Sequence, residues 1–168
     1  MPSPRYGAGL TLVELLVTLS IMGILLAIAV PSYQDAVLGS KLSSYANSLV
    51  ASAQIAKSEA IKRNSTVTLC ASSSGTACTT SGDWGQGWIV IVGTTVLQRQ
   101  QALPSGMRVS QSGGTSSLTF QPTGVGTTQA TFTVCRYSPA VGNQEKSVTI
   151  STTGSGSVST PATVSSCS

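Results

Sequence analysis

Residues 9–31 read GLTLVELLVTLSIMGILLAIAVP, and this stretch constrains the chain more than any other. Residues 10–30 are 21 positions, about 32 Å of helix at 1.5 Å per residue, which matches the hydrocarbon thickness of a bilayer. A single membrane anchor is one reading. An ordinary secretory signal is a second: Arg5 precedes the apolar run, and the small-x-small triplet Ala27-Ile28-Ala29 sits near its end. Both leave Glu14 unexplained. A charged side chain at mid-membrane costs about 2.5–3.5 kcal/mol, less toward an end, so a carboxylate inside such a run calls for a partner.

The rest of the chain is poorly supplied for catalysis. It has no histidine and five carboxylates, Glu14, Asp35, Glu59, Asp83 and Glu145. It lacks a G-x-S-x-G elbow, an S-x-x-K pair, a phosphate-binding glycine loop and H-E-x-x-H. Acid–base work near neutral pH would then need a strongly shifted carboxylate or lysine. No enzyme activity, cofactor or metal is expected. The net charge of +4 is far from that of a basic arm. Only 8% of residues are charged, and abundant Ser, Thr, Gly and Val point to short strands and tight turns.

Four cysteines, Cys70, Cys78, Cys135 and Cys167, fit no zinc spacing. An even number behind an export-like N-terminus indicates disulfides formed in an oxidising compartment. Three pairings are open. The favoured one is Cys70–Cys78, closing a short polar loop, with Cys135–Cys167 tying down the C-terminus.

Pro31 removes a backbone donor and displaces the carbonyl of Ala27, so a kink is expected there, and Gly23 weakens the same helix. Beyond it, Leu38, Leu42, Tyr45, Leu49, Ala53, Ala56 and Ala60 recur at helical spacing, with Lys41, Asn47, Lys57 and Lys62 mostly elsewhere. This amphipathic helix should end near Arg63, with Asn64 and Ser65 as its stop. Eight β-rich runs follow, at 66–71, 87–92, 96–100, 107–111, 117–121, 130–137, 146–151 and 156–160, separated by Gly- and Ser-rich turns. The polar connection 71–86 reads as a loop. The expected fold is α+β: one long N-terminal helix packed on an antiparallel sheet or small β-sandwich.

The quoted N-terminal stretch resembles the class III signal of type IV pilins and type II secretion pseudopilins. The resemblance implies a leader at 1–9, a hydrophobic transmembrane and assembly helix at 10–31, an amphipathic helix at 32–64 and a β-rich domain at 65–168. It implies cleavage between Gly9 and Leu10 by a prepilin peptidase on the cytoplasmic side, and methylation of the new amine at Leu10. The family usually has Phe where this chain has Leu10. N-methylation preserves the positive charge, so the amine becomes a partner for Glu14. In the family that pairing joins neighbouring subunits and sets their register in a filament. The bland alternative leaves Glu14 at the interface among headgroups. The resemblance also implies that the helix loosens between Gly23 and Pro31 when pilins pack.

The stretch AQIAKSEAIKRNSTVTLCASSSGTACTTSGDWGQGWIVIV is similar to minor pilins of the FimT/FimU kind, which share a domain with the pseudopilin GspH. Ser58-Glu59-Ala60, Cys70, Cys78, Trp84 and Gly87-Trp88 carry the likeness. The implied function is a minor pilin that initiates a type IV pilus and sits in its tip, in machinery for twitching motility, adhesion or DNA uptake. Its implied partners are other pilins, the prepilin peptidase/methyltransferase, the inner-membrane assembly platform and inner-membrane lipid. The implied location is single-pass in the bacterial inner membrane with a periplasmic domain, then the filament. Two alternatives remain, a GspH-type pseudopilin of type II secretion and a DNA-binding minor pilin. For DNA, the family's Gly-Arg-x-Arg motif has no counterpart in TTGSGSVST, and the candidate contacts Arg99, Arg108, Arg136 and Lys146 are scattered. Trp84 and Trp88 read as packing residues in preference to ligand-stacking ones.

Overall fold

A side-chain hydroxyl starts the long helix. Thr11 Oγ1 accepts a hydrogen bond from the Glu14 backbone N–H at 3.2 Å, an N-cap on α1 (Leu12–Arg63). The computed structural model describes residues 11–80, 83–126, 128–137, 145–161 and 167. Within them the apolar and amphipathic stretches form one helical element, which continues through Gly23 and Pro31. It stops where Asn64 takes a left-handed φ of 48° and the Ser65 N–H donates to the Ala60 carbonyl. Glu59 gathers the cations of the last turn, accepting from Arg63 Nε at 2.5 Å with Lys62 Nζ at 3.7 Å. The Arg63 hydrogen bond holds the Glu59 carboxyl below the usual carboxylate range.

The chain divides into two compact units, Met1–Val37 and Leu38–Ser168. In the first, every described residue from 11 to 30 is exposed, so its Leu, Ile, Val and Met side chains bury nothing of their own. Among the described residues, α1 is the helix long and apolar enough to cross a membrane.

In the second unit α1 buries Leu38, Leu42, Ala46, Leu49, Ala53, Ala56 and Ala60. The stripe differs from the expected one at two positions, Ala46 in place of Tyr45 and the added Ser52, which is 1% exposed. Tyr45 lies half-buried at its margin, and Ala46 beside it is the fully buried residue. Lys41, Asn47 and Lys62 are exposed, whereas Lys57 is half-buried and donates to the Thr153 carbonyl at 2.7 Å.

Eight strands follow: β1 (Val67–Ala71), β2 (Trp88–Val92), β3 (Thr95–Gln100), β4 (Met107–Gln111), β5 (Ser117–Phe120), β6 (Ala130–Arg136), β7 (Lys146–Ile150) and β8 (Gly156–Ser159). They form two four-stranded antiparallel sheets, ordered β3-β2-β1-β5 and β4-β6-β7-β8. The chain leaves the first sheet for β4, returns for β5, then leaves again, which ties the sheets together. Their inner faces share one core with α1, in which Leu69, Trp88, Val90 and Phe120 from one sheet join Val109, Phe132, Val134 and Val148 from the other.

The connection after β1 is more ordered than a polar loop. A one-turn 3-10 helix (Trp84–Gln86) is capped by Asp83, whose carboxylate accepts from Gly85 N–H at 2.9 Å. It drives Trp84 into the core, edge-on to Phe132 with ring centroids 4.9 Å apart, and the indole N–H donates to the Thr115 carbonyl at 2.9 Å. Trp88 donates to Ser52 Oγ at 2.9 Å, tying β2 to α1. Disulfides join Cys70 to Cys78 and Cys135 to Cys167, with Cα separations of 5.5 and 5.9 Å.

Candidate functional site

The first turn of α1 reads Thr-Leu-Val-Glu, the spacing of a capping box, in which a residue three places after the cap can turn back to the cap's own N–H. The structure shows the forward half of that device, Glu14 N–H on Thr11 Oγ1. The position also sets the Glu14 carboxylate at the positive end of the helix dipole, worth about 0.3–1 kcal/mol at an exposed site. This local support adds to the partner expected for Glu14, and T-x-x-E is its signal in the sequence. Gly9 and Leu10, the expected cleavage and methylation residues, lie outside the described residues.

The other hydroxyls of the apolar run are satisfied within the helix. Thr18 Oγ1 donates to the Leu15 carbonyl at 2.9 Å and Ser20 Oγ to the Leu16 carbonyl at 2.8 Å, so neither requires water. At Gly23 an added Cβ would meet nothing within 4 Å, so contacts within the chain do not demand a glycine there. This surface is apolar all round, self-satisfied in its hydroxyls, and charged only at its N-terminal turn. Such a surface suits lipid or a bundle of similar helices.

The four scattered cations do not share a face. Cys135 pairs with Arg108 across β4–β6, whereas Val134 pairs with Lys146 across β6–β7. Side chains alternate along β6, so Arg108 stands on one side of the second sheet and Arg136 and Lys146 on the other. Arg99 belongs to the first sheet, where its Nε donates to the Gly75 carbonyl at 2.9 Å. Lys146 Nζ donates to Thr160 Oγ1 at 2.9 Å. Both tryptophans are fully buried, which leaves neither ring open for stacking on a ligand. Among the described residues no three metal-ligating side chains converge.

Residues 4–30 match the prokaryotic N-terminal methylation motif, and residues 45–156 match the family described as type II transport protein GspH. A search of curated proteins finds no match. Among solved structures, the type IV minor pilin FimU of Pseudomonas aeruginosa PAO1 resembles the chain in two crystal forms. The identities are 22% and 21% and the TM-scores 0.55 and 0.58, covering 70% and 71% of this chain and 92% and 89% of FimU. EpsH, a minor pseudopilin from the type 2 secretion system of Vibrio cholerae, is 13% identical with a TM-score of 0.50, over 73% of this chain and 98% of EpsH. At these identities the likeness is one of fold. The family match spans most of the chain and brings with it a structural, non-enzymatic role. With the methylation motif ahead of that domain, the chain belongs to the GspH family and is a minor pilin or pseudopilin of the type IV pilus or type II secretion kind.

Proposed function

We propose that the chain is a minor pilin that helps initiate a type IV pilus and is built into its tip complex. The apolar part of α1 holds the subunit in the inner membrane, with the unit from Leu38 onward on the periplasmic side. Prepilin peptidase cuts behind Gly9 and the new amine of Leu10 is methylated. The assembly platform then moves the helix from lipid into contact with the helices of other pilins.

The observation that carries this reading is the exposed apolar surface of residues 11–30 with Glu14 in its first turn. Cleavage behind Gly9 would create a cation next to that carboxylate, and a buried charge is tolerable when paired. The mass of the mature N-terminus tests the route: methylated Leu10 is expected, and a start at Val30 would mean an ordinary secreted protein.

The second reading is a pseudopilin of type II secretion. It draws support from the family's own description and from the shared fold of EpsH. Deletion of the gene separates the two. Loss of surface pili with secretion intact supports the pilus, whereas loss of secreted proteins with pili intact supports the pseudopilin.

A further inference from the structure

The first sheet carries a small second layer on the face turned away from α1. Trp88 faces the helix through Ser52, so its neighbour Ile89 points to the opposite side. Cys70 pairs with Ile89 and Ile89 with Arg99, which sets the three side chains in one row on that outer face. Cys70 and Ile89 are nonetheless fully buried. The 71–78 loop is fastened at both ends of the row, by the disulfide to Cys70 and by the Gly75 carbonyl on Arg99 Nε at 2.9 Å, and so lies over Ile89.

The loop is held in shape from within. Ser72 Oγ accepts from Gly75 N–H at 2.9 Å and donates to the Ala77 carbonyl at 2.6 Å, and Thr79 N–H donates to the Ala71 carbonyl at 2.8 Å. Gly75 has φ +70°, and a Cβ there would stand 2.4 Å from Arg99 Nε, so only a glycine lets the backbone rest on the guanidinium. Beside this contact is a cleft of about 130 Å³, lined by Ser73, Ser74, Gln86, Arg99, Gln100 and Gln101 among others, with no acidic residue in its wall. No carboxylate among the described residues pairs with Arg99.

We propose that this cleft binds a carboxylate group. The guanidinium stays charged at any working pH and presents its donors in a planar fork. Its Nε–H is committed to Gly75, which fixes the plane and leaves the terminal nitrogens of this exposed, cleft-lining side chain as charge-assisted donors for an acid. The volume equals about four waters at ~30 Å³ each, room for a carboxylate and its stem. One cation with glutamine amides and serine hydroxyls around it matches a monoanion, whose remaining lone pairs those neutral donors can fill. The carboxylate can come from a small organic acid or from a Glu or Asp side chain of another protein. Because the loop depends on the Cys70–Cys78 bond, the site exists only in the oxidised chain.

The test uses the full chain, 15N-labelled, in neutral detergent micelles, titrated with sodium acetate against sodium chloride at equal ionic strength. Saturable shifts of the Gly75 amide and the Arg99 Nε–H are expected with acetate alone, and reduction of the disulfides should abolish them. Arg99→Gln should abolish the acetate response, and Arg99→Lys should weaken it about tenfold through loss of the fork. Unchanged indole N–H signals of Trp84 and Trp88 establish that each variant is folded. A second arm compares acetyl-Ala-Glu-Ala-amide with its Gln counterpart. Tighter binding of the Glu peptide than of acetate supports the site and assigns it to a protein side chain, and equal binding supports it as a small-acid site. Shifts that chloride reproduces, that inorganic phosphate alone elicits, or that survive in folded Arg99→Gln overturn the proposal.

Discussion

Ser52→Ala is a small change with a calculable cost. Ser52 is 1% exposed, and its hydroxyl accepts from the Trp88 indole at 2.9 Å while donating to the Ser48 carbonyl at 2.8 Å. Removing the hydroxyl leaves the indole N–H buried with nothing to bond, a penalty of about 1–3 kcal/mol. Alanine returns roughly 0.5 kcal/mol as the better helix former, so the expected net loss is about 0.5–2.5 kcal/mol. In a Trp88→Phe background no N–H is left to orphan, and Ser52→Ala should be close to neutral. The double-mutant cycle therefore predicts a coupling of about 1–3 kcal/mol. Guanidinium unfolding of the full chain in neutral detergent, followed by the fluorescence of buried Trp84, reports all four proteins. An equal cost of Ser52→Ala in both backgrounds would refute the reasoning.

Glu14→Ala and Glu14→Gln should both remove the subunit from sheared surface filaments on immunoblots. Glutamine can fill the same place in a capping box, so normal incorporation of Glu14→Gln would reduce Glu14 to a cap. The disulfides differ in what they constrain. By loop entropy, the 32-residue separation of Cys135 and Cys167 is worth about 3.7 kcal/mol, against about 2.5 for the 8-residue separation of Cys70 and Cys78. Paired Cys→Ser variants should lower the melting temperature in that order, and the reverse order would contradict the loop argument. Because the four candidate cations do not share a face, the chain should give no DNA retardation at physiological salt. Retardation that weakens steeply with added salt would restore the DNA reading.

Strand positions were legible because Ser, Thr and Gly interrupt the β-branched runs so regularly that each run has one plausible extent. All eight lie within a residue or two of the expected spans. Partnership was not legible. Alternation in SLTFQ says which side chains face inward, but nothing local joins β5 to β1 or β4 to β6. The Trp84 turn was read as loop because three residues carry no periodicity, and its one signal is an Asp placed to cap it. Ser52 escaped notice because it is polar within an apolar stripe. Its burial makes sense only beside the Trp88 indole, which arrives from 36 residues away. The candidate site shows the same limit: T-x-x-E is local and visible, whereas the face on which Arg108 or Arg136 stands depends on register.

The two parts of α1 differ in what can drive them to associate. From residue 38 onward the buried stripe is mostly small, with Ala46, Ala53, Ala56 and Ala60, and the bulk comes from the sheets in Trp88, Phe120 and Leu69. That interface forms in water, so the hydrophobic effect stabilises it. Residues 11–30 have no such driving force while they remain in lipid, because hydrocarbon tails are as apolar as leucine. Packing against other helices then has to be favoured by something lipid does not offer. Thr18 and Ser20 do not offer it, since their hydroxyls already bond their own backbone. The Glu14 carboxylate has no side-chain partner among the described residues, and it is the charged group of this stretch, able to gain from a cationic neighbour. A single charged pair at the N-terminal turn would therefore separate a bound subunit from a lipid-dissolved one. It would also fix the register, since a helix that slides by one turn moves the carboxylate about 5.4 Å from its partner.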